Sequence, residues 1–77
     1  MGYQEAIKIA NANAVGNIVC EVIEFNDRFV ISYEDRDGNV PDVSPIFVLK
    51  ESGDVGTFFP PDYDGNFFKS GQAVFTK

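Results

Sequence analysis

Apolar and polar positions follow two different periods along this chain, and the change of period divides it. From Tyr3 to Ala14, "YQEAIKIANANA" sets Tyr3, Ala6, Ile7, Ala10 and Ala14 on one helical stripe, with Gln4, Glu5, Lys8 and Asn11 opposite. Glu5 falls in the first turn, where the helix dipole favours an acid, and Gly16 is a fitting stop. The alanines are small enough to let this helix lie close to whatever it covers.

The period then shortens. "NIVCEVIEF" is a run of β-branched and apolar residues, and "FVISYE" places Phe29, Ile31 and Tyr33 on one face with Val30, Ser32 and Glu34 on the other. An Asn26-Asp27 turn between them predicts a hairpin. The stretch Asp35 to Ser44, "DRDGNVPDVS", has the composition of a loop. Ile46 to Leu49 and Val55 to Phe59 read as a second hairpin joined by "KESGD" and ended by Pro60 and Pro61, which cannot donate to a ladder. The tail "PDYDGNFFKSGQAVFTK" admits either a last strand near Ala73 to Thr76 or a loop anchored by Phe67 and Phe68.

One helix followed by two hairpins predicts an α+β fold, an N-terminal helix packed on an antiparallel sheet of about four strands. A chain of 77 residues is one domain, 1–77. A single helix covers only one face of such a sheet. The other is solvated, covered by the aromatic tail, or covered by a second subunit. The eight phenylalanines are many for so small a core, which points to a homodimer or partner surface unless the tail folds back over them.

Charge narrows the partners. A net charge of −6 repels phosphate backbones and anionic headgroups, so nucleic acid and membrane surfaces are not expected as partners. It suits solubility, and equally docking to a basic protein. No stretch reaches the roughly 18 apolar residues of a membrane span, and no basic region followed by an apolar run opens the chain. The expected location is the cytoplasm.

Candidate chemistry is sparse. The single Cys20 allows no internal disulfide, and with no His the sequence lacks both a zinc ligand set and the commonest general base. Within its apolar run Cys20 reads as a buried, inert thiol. Glu21 and Glu24 read as solvent-facing or edge positions of the first strand. Ser32, Ser44, Ser52 and Ser70 have no base, "SGDVG" and "KSGQ" are too short for a phosphate loop, and no carboxylate pair stands out for hydrolysis. The chain is therefore expected to be no enzyme and to carry no cofactor.

Two runs share one spelling: "DRDGN" from Asp35 and "DYDGN" from Asp62. A helix-loop-helix calcium loop needs Gly at its sixth position and Glu at its twelfth. Counted from Asp35 these are Val40 and Ile46; counted from Asp62, Phe67 and Ala73. Both runs fail, and both are expected to be turns, since Asp-Gly and Gly-Asn tolerate positive φ and Asp bonds backbone amides two residues on. Were the two loops to lie at the same end of the sheet, Asp35, Asp37, Asp62 and Asp64 could still pool their carboxylates on an ion or a basic partner.

The "YQEAIKIANAN" helix, the strand pair ending in "FVISYE" and the later "SPIFVLKESGDV" together resemble the small bacterial family known as immunity protein 35, over residues 3 to 59. In that family an alanine-rich helix precedes a strand with aromatics, and a Pro-apolar-apolar-Val stretch leads into a Gly-containing hairpin. Here "PDVSP" stands where the family has Gly-Asn-x-Pro, with only Pro45 in register, and Phe29 is the aromatic nearest the family's second-strand tryptophan. The resemblance implies a cytoplasmic bacterial protein that binds a toxin domain or related partner, and it carries over no catalytic residue.

The resulting expectation is a non-enzymatic protein that binds another protein, immunity-like, through acidic loops and exposed aromatics: Asp35, Asp37, Phe58, Phe59, Asp62, Tyr63 and Asp64. An ion- or ligand-binding module built on the acidic loops, and a subunit that self-associates through its aromatics, are the alternatives.

Overall fold

The computed structural model describes residues 1–14, 16–39 and 44–77. Part of the predicted loop and most of "PDVSP" fall on residues 40–43, outside the described residues. The chain folds as α1 (Tyr3–Asn13), β1 (Ile18–Glu24), β2 (Arg28–Glu34), β3 (Ile46–Leu49), β4 (Val55–Thr57), a 3-10 turn (Pro60–Asp62), α2 (Gly65–Lys69) and β5 (Gln72–Thr76). All strand pairs are antiparallel, in the order β4-β3-β2-β1-β5. The expected helix-on-sheet architecture is present. The sheet has five strands where the sequence predicts about four, because the tail returns to pair with β1.

Both predicted hairpins form where their turn chemistry lies. The Phe25 amide donates to the Arg28 carbonyl at 2.8 Å across Asn26-Asp27, and Leu49 donates to Asp54 at 2.9 Å across a turn whose Gly53 takes φ 76°. β4 ends at Thr57, shorter than expected, because its partner strand gives way to a proline there. The amide of Phe58 still donates to the carbonyl of Pro45, its in-register partner, at 2.8 Å, but Pro45 has no N–H to return the bond.

The alternation read from β2 holds in space. Phe29, Ile31 and Tyr33 face the helix and pack with Val19, Val22, Val48 and the alanines Ala6 and Ala10, both of which are fully buried. With no side chain beyond Cβ, those alanines bring the α1 backbone close to the sheet. β1 reaches this register through a bulge between Val19 and Glu21 that leaves Cys20 as the extra residue. Cys20 is half-buried rather than buried, and desolvation, with Glu34 and Glu21 nearby, pushes its thiol pKa up. β1 is also interior, flanked by β2 and β5, so Glu21 and Glu24 are not on an edge. Glu24 is half-buried and pairs with Lys50 at 2.7 Å.

α1 ends three residues before Gly16, which takes φ 76° beyond it. The last four carbonyls of a helix lack intrahelical donors. At this end the Ala14 amide bonds the Asn11 carbonyl instead of that of Ala10. The Tyr33 hydroxyl, buried in the sheet, donates to the Ala10 carbonyl at 2.9 Å. One sheet residue thus supplies both apolar area beneath the helix and the donor its last turn lacks.

Tyr33→Phe keeps the ring and removes the donor, so it is expected to cost about 1–3 kcal/mol in urea unfolding at pH 7, the penalty of a buried, unsatisfied carbonyl. Burial also raises the Tyr33 pKa, so the folded chain holds that proton more tightly than the unfolded chain. Its contribution is complete below about pH 10 and is lost as pH rises through the folded value. The gap between the two proteins should therefore narrow when unfolding is repeated above pH 10.

Candidate functional site

The second face of the sheet carries Ile23, Phe25, Val30 and Phe47, too apolar to be left in water. The chain between β4 and β5 crosses it. Phe58 enters this second core at 7% exposure, and Tyr63 and Phe67 pack against it half-buried. The rings form a continuous series: Phe67 stacks on Phe25 at 4.1 Å between centroids, Tyr63 lies 4.4 Å from Phe67, and Phe58 lies 4.8 Å from Tyr63. The tail thus covers the face that α1 cannot reach.

Arg28, which the sequence does not single out, fastens this layer to the sheet. Its Nη1 donates to the Tyr63 hydroxyl at 2.9 Å, and its guanidinium sits 5.1 Å from the Phe47 ring centroid and 5.8 Å from that of Tyr63. Its Nε and Nη2 donate to the two carboxylate oxygens of Asp27 at 3.0 and 2.8 Å. That bidentate pair holds the Asp27 carboxyl below, and the Arg28 guanidinium above, their usual pKa values. A planar cation between two rings with its donors engaged is a role for Arg and not for Lys. The only sign in the sequence is a cation opening a strand that otherwise begins with an apolar run, Phe29 to Ile31.

The two Asp-x-Asp-Gly-Asn runs do different work. In the first, Asp35 Oδ1 accepts from the amides of Asp37 and Asn39, both at 2.9 Å, and Gly38 takes φ 81°, in keeping with the expected turn. In the second it is the other acid that acts. Asp64 caps α2, its Oδ1 accepting from the Phe67 amide at 2.8 Å, and Gly65 is the first residue of that helix, without positive φ. The turn expected there is a helix start. The difference lies in the residues C-terminal to each run: "NFFK" can continue a helix whose aromatics have a face to bury, and the first run has no such continuation.

The runs also lie at opposite ends of the sheet. Asp35 comes directly after the last residue of β2, whereas Tyr63, beside Asp64, is bonded to Arg28, the first residue of that seven-residue strand. Roughly 20 Å of strand separates them. The four carboxylates are not pooled, and no group of three or more metal-ligating side chains is present among the described residues. Asp37, Asp62 and Asp64 are exposed and Asp35 is half-buried.

Two aromatics of the tail remain in water. Phe59 is 56% exposed and Phe68 is 45% exposed. Both neighbour Phe58, the first along the chain and the second through an edge-to-face contact at 6.1 Å. Asp62 and Asp64 stand on the same segment. Of the residues expected to meet a partner, Phe58 is thus core, Tyr63 is largely engaged by Phe58 and Arg28, and Phe59, Asp62 and Asp64 share an exposed segment from which Asp35 and Asp37 are distant. Phe68 belongs with that segment, although its place in the sequence suggests no more than an anchor. A depression of about 570 Å³ lies elsewhere, on the outer side of α1, lined by Gln4, Glu5, Ile7, Lys8 and Asn11. No helix among the described residues is long and apolar enough to cross a membrane.

No protein-family model matches the chain, and no curated protein or solved structure matches it either.

The division of labour between the two aspartates of the second run is measurable. Asp64→Ala is expected to lower stability by about 1 kcal/mol through loss of the cap, and Asp62→Ala to stay within about 0.5 kcal/mol of the parent in chemical denaturation. At Gly71, where β5 begins, an added Cβ would stand 2.6 Å from a Phe25 ring carbon and 2.7 Å from an Ile23 methyl. Both neighbours are packed, so Gly71→Ala should cost about 1–3 kcal/mol.

Proposed function

We propose that this protein is a non-catalytic protein-binding module whose contact surface is the segment from Phe59 to Phe68. The observation that carries the reading is the exposure of Phe59 and Phe68 beside a second core that already holds Phe25, Phe58 and Phe67. Burying large aromatics is strongly favourable, and a chain that folds its tail over the sheet yet leaves two phenylalanines in water has kept apolar area for something else. The underlying ring series and the Arg28 contact hold that segment in place, so a partner meets a preformed surface and little ordering entropy opposes binding.

Asp62 and Asp64 border the phenylalanines, and the protein as a whole is acidic. The partner that fits is a protein surface with an apolar centre and a basic rim, drawn in by the field and held by the rings. The resemblance to immunity protein 35 supports a bacterial toxin domain as the class of partner. A cytoplasmic location suits that reading.

The test is co-expression with the product of the adjacent gene, followed by affinity measurement. Binding of the parent protein, weakened at least tenfold by the paired substitution Phe59→Ser and Phe68→Ser with an unchanged melting temperature, is the expected result. Equal binding by the paired variant would place the contact elsewhere on the molecule. In a growth assay the parent, and not the paired variant, should protect cells from that product.

A further inference from the structure

Two layers cover this sheet, and they are held in different ways. α1 lies on it through two fully buried alanines, Ala6 and Ala10, and through the buried Tyr33 hydroxyl at the Ala10 carbonyl. The layer on the second face runs from Phe58 to the start of β5. Neither its 3-10 turn nor α2 contains a buried residue, and Phe58, at its entry, is the one fully buried side chain of the layer.

Among the described residues, no backbone hydrogen bond joins residues 59–70 to the sheet. The amides of Asp62, Tyr63, Phe68 and Ser70 donate to the carbonyls of Phe59, Pro60, Asp64 and Phe67, and the Phe67 amide donates to the Asp64 carboxylate, so these bonds all close within the segment. Attachment falls to side chains. The Phe67 ring lies on Phe25, the Phe58 ring sits in the second core, and one hydrogen bond runs from Arg28 Nη1 to the Tyr63 hydroxyl. Lifting the layer gives up those contacts and breaks no bond between strands. Segments with few buried contacts are the ones that open below the free energy of global unfolding.

We propose that residues 58–70 form a strap that opens as a unit, hinged where it joins β4 and β5, while α1 and the paired strands stay folded. Its rings move together because Tyr63 touches both neighbours in the series, Phe58 at 4.8 Å and Phe67 at 4.4 Å between centroids. The Arg28–Tyr63 bond is the latch. Open, the strap uncovers Phe25, Val30 and Phe47. Phe59 and Phe68 ride on it, so the closed fraction sets how much of the protein can engage a partner through them. That consequence rests on the binding reading above, whereas the opening itself is measured on the protein alone.

Thiol labelling tests the proposal, with one cysteine placed beneath each layer in a Cys20→Ala background: Val30→Cys under the strap and Val22→Cys under α1. Val30→Cys is expected to label at least about tenfold faster than Val22→Cys, and with a weaker dependence on urea, since opening the strap exposes less surface than unfolding the chain. Tyr33→Phe, on the helix side, should speed labelling at Val22→Cys about tenfold and leave Val30→Cys unchanged, whereas Tyr63→Phe, which removes the latch, should speed both. Should Val22→Cys not fold, Val48→Cys takes its place. Should Val30→Cys not fold, hydrogen exchange of the parent decides, the amides of Asp62, Tyr63, Phe67 and Ser70 being expected to open more readily than those of β2. Equal labelling rates or urea dependences at the two thiols, a Val30→Cys rate that rises with Tyr33→Phe or ignores Tyr63→Phe, or strap amides as protected as those of β2 would each overturn it.

Discussion

A sheet has two faces, and this chain has one helix long enough to cover one of them. The five strands carry apolar side chains on both sides: Phe29, Ile31 and Val48 toward α1, and Phe25, Val30 and Phe47 away from it. A small chain cannot leave either set in water and remain folded, because its margin of stability is small to begin with. The segment after β4 meets that requirement. Its prolines follow the end of the strand, Asp64 starts a short helix, and its rings settle on the uncovered face before the chain returns as β5.

Each half of the structure is fixed by one polar contact set into apolar surroundings. On the helix side it is the Tyr33 hydroxyl at the Ala10 carbonyl, and on the other side it is Arg28 between Phe47 and Tyr63. Both contacts join residues distant in sequence, and both use a side chain whose apolar body fills the core and whose polar end supplies direction. Burial alone would allow the helix to slide and the rings to exchange places. A hydrogen bond with required geometry does not. Ion pairs add less: Lys50 with Glu24 and Lys77 with Glu34 lie at or near the surface, where such pairs contribute at most about 1 kcal/mol.

Much of the fold is written in local patterns. The helical stripe, the alternation in β2, and the turns at Asn26-Asp27 and "KESGD" each depend on residues within a few positions of one another, and each appears where expected. The tail is not legible in the same way, since "FFKSGQAVF" becomes α2 and β5 only because Phe25 and the outer side of β1 are waiting for it. The two similar acidic runs teach the same lesson at smaller scale. Asp35 finds its partners two and four residues on in a loop, whereas Asp64 finds its partner in a helix that exists because Phe67 has a ring to stack on. Arg28 is hidden for the same reason, its neighbours Phe47 and Tyr63 lying far along the chain. Phe58 and Phe59, adjacent and chemically identical, are expected from sequence to act alike, and backbone direction alone sends one into the core and the other to the surface.

The bond between Arg28 and Tyr63 closes a loop of 35 residues, and β5 reaches back further still to pair with β1. Closing long loops is slow relative to forming hairpins, so α1 and the strands β1 to β3 can assemble while the second face is still bare. In that interval the outer side of β1 is itself an open edge, beside an exposed Phe25 and Val30. The same tail that completes the sheet is thus the element whose timing decides whether a newly made chain finishes on itself or pairs with a neighbour.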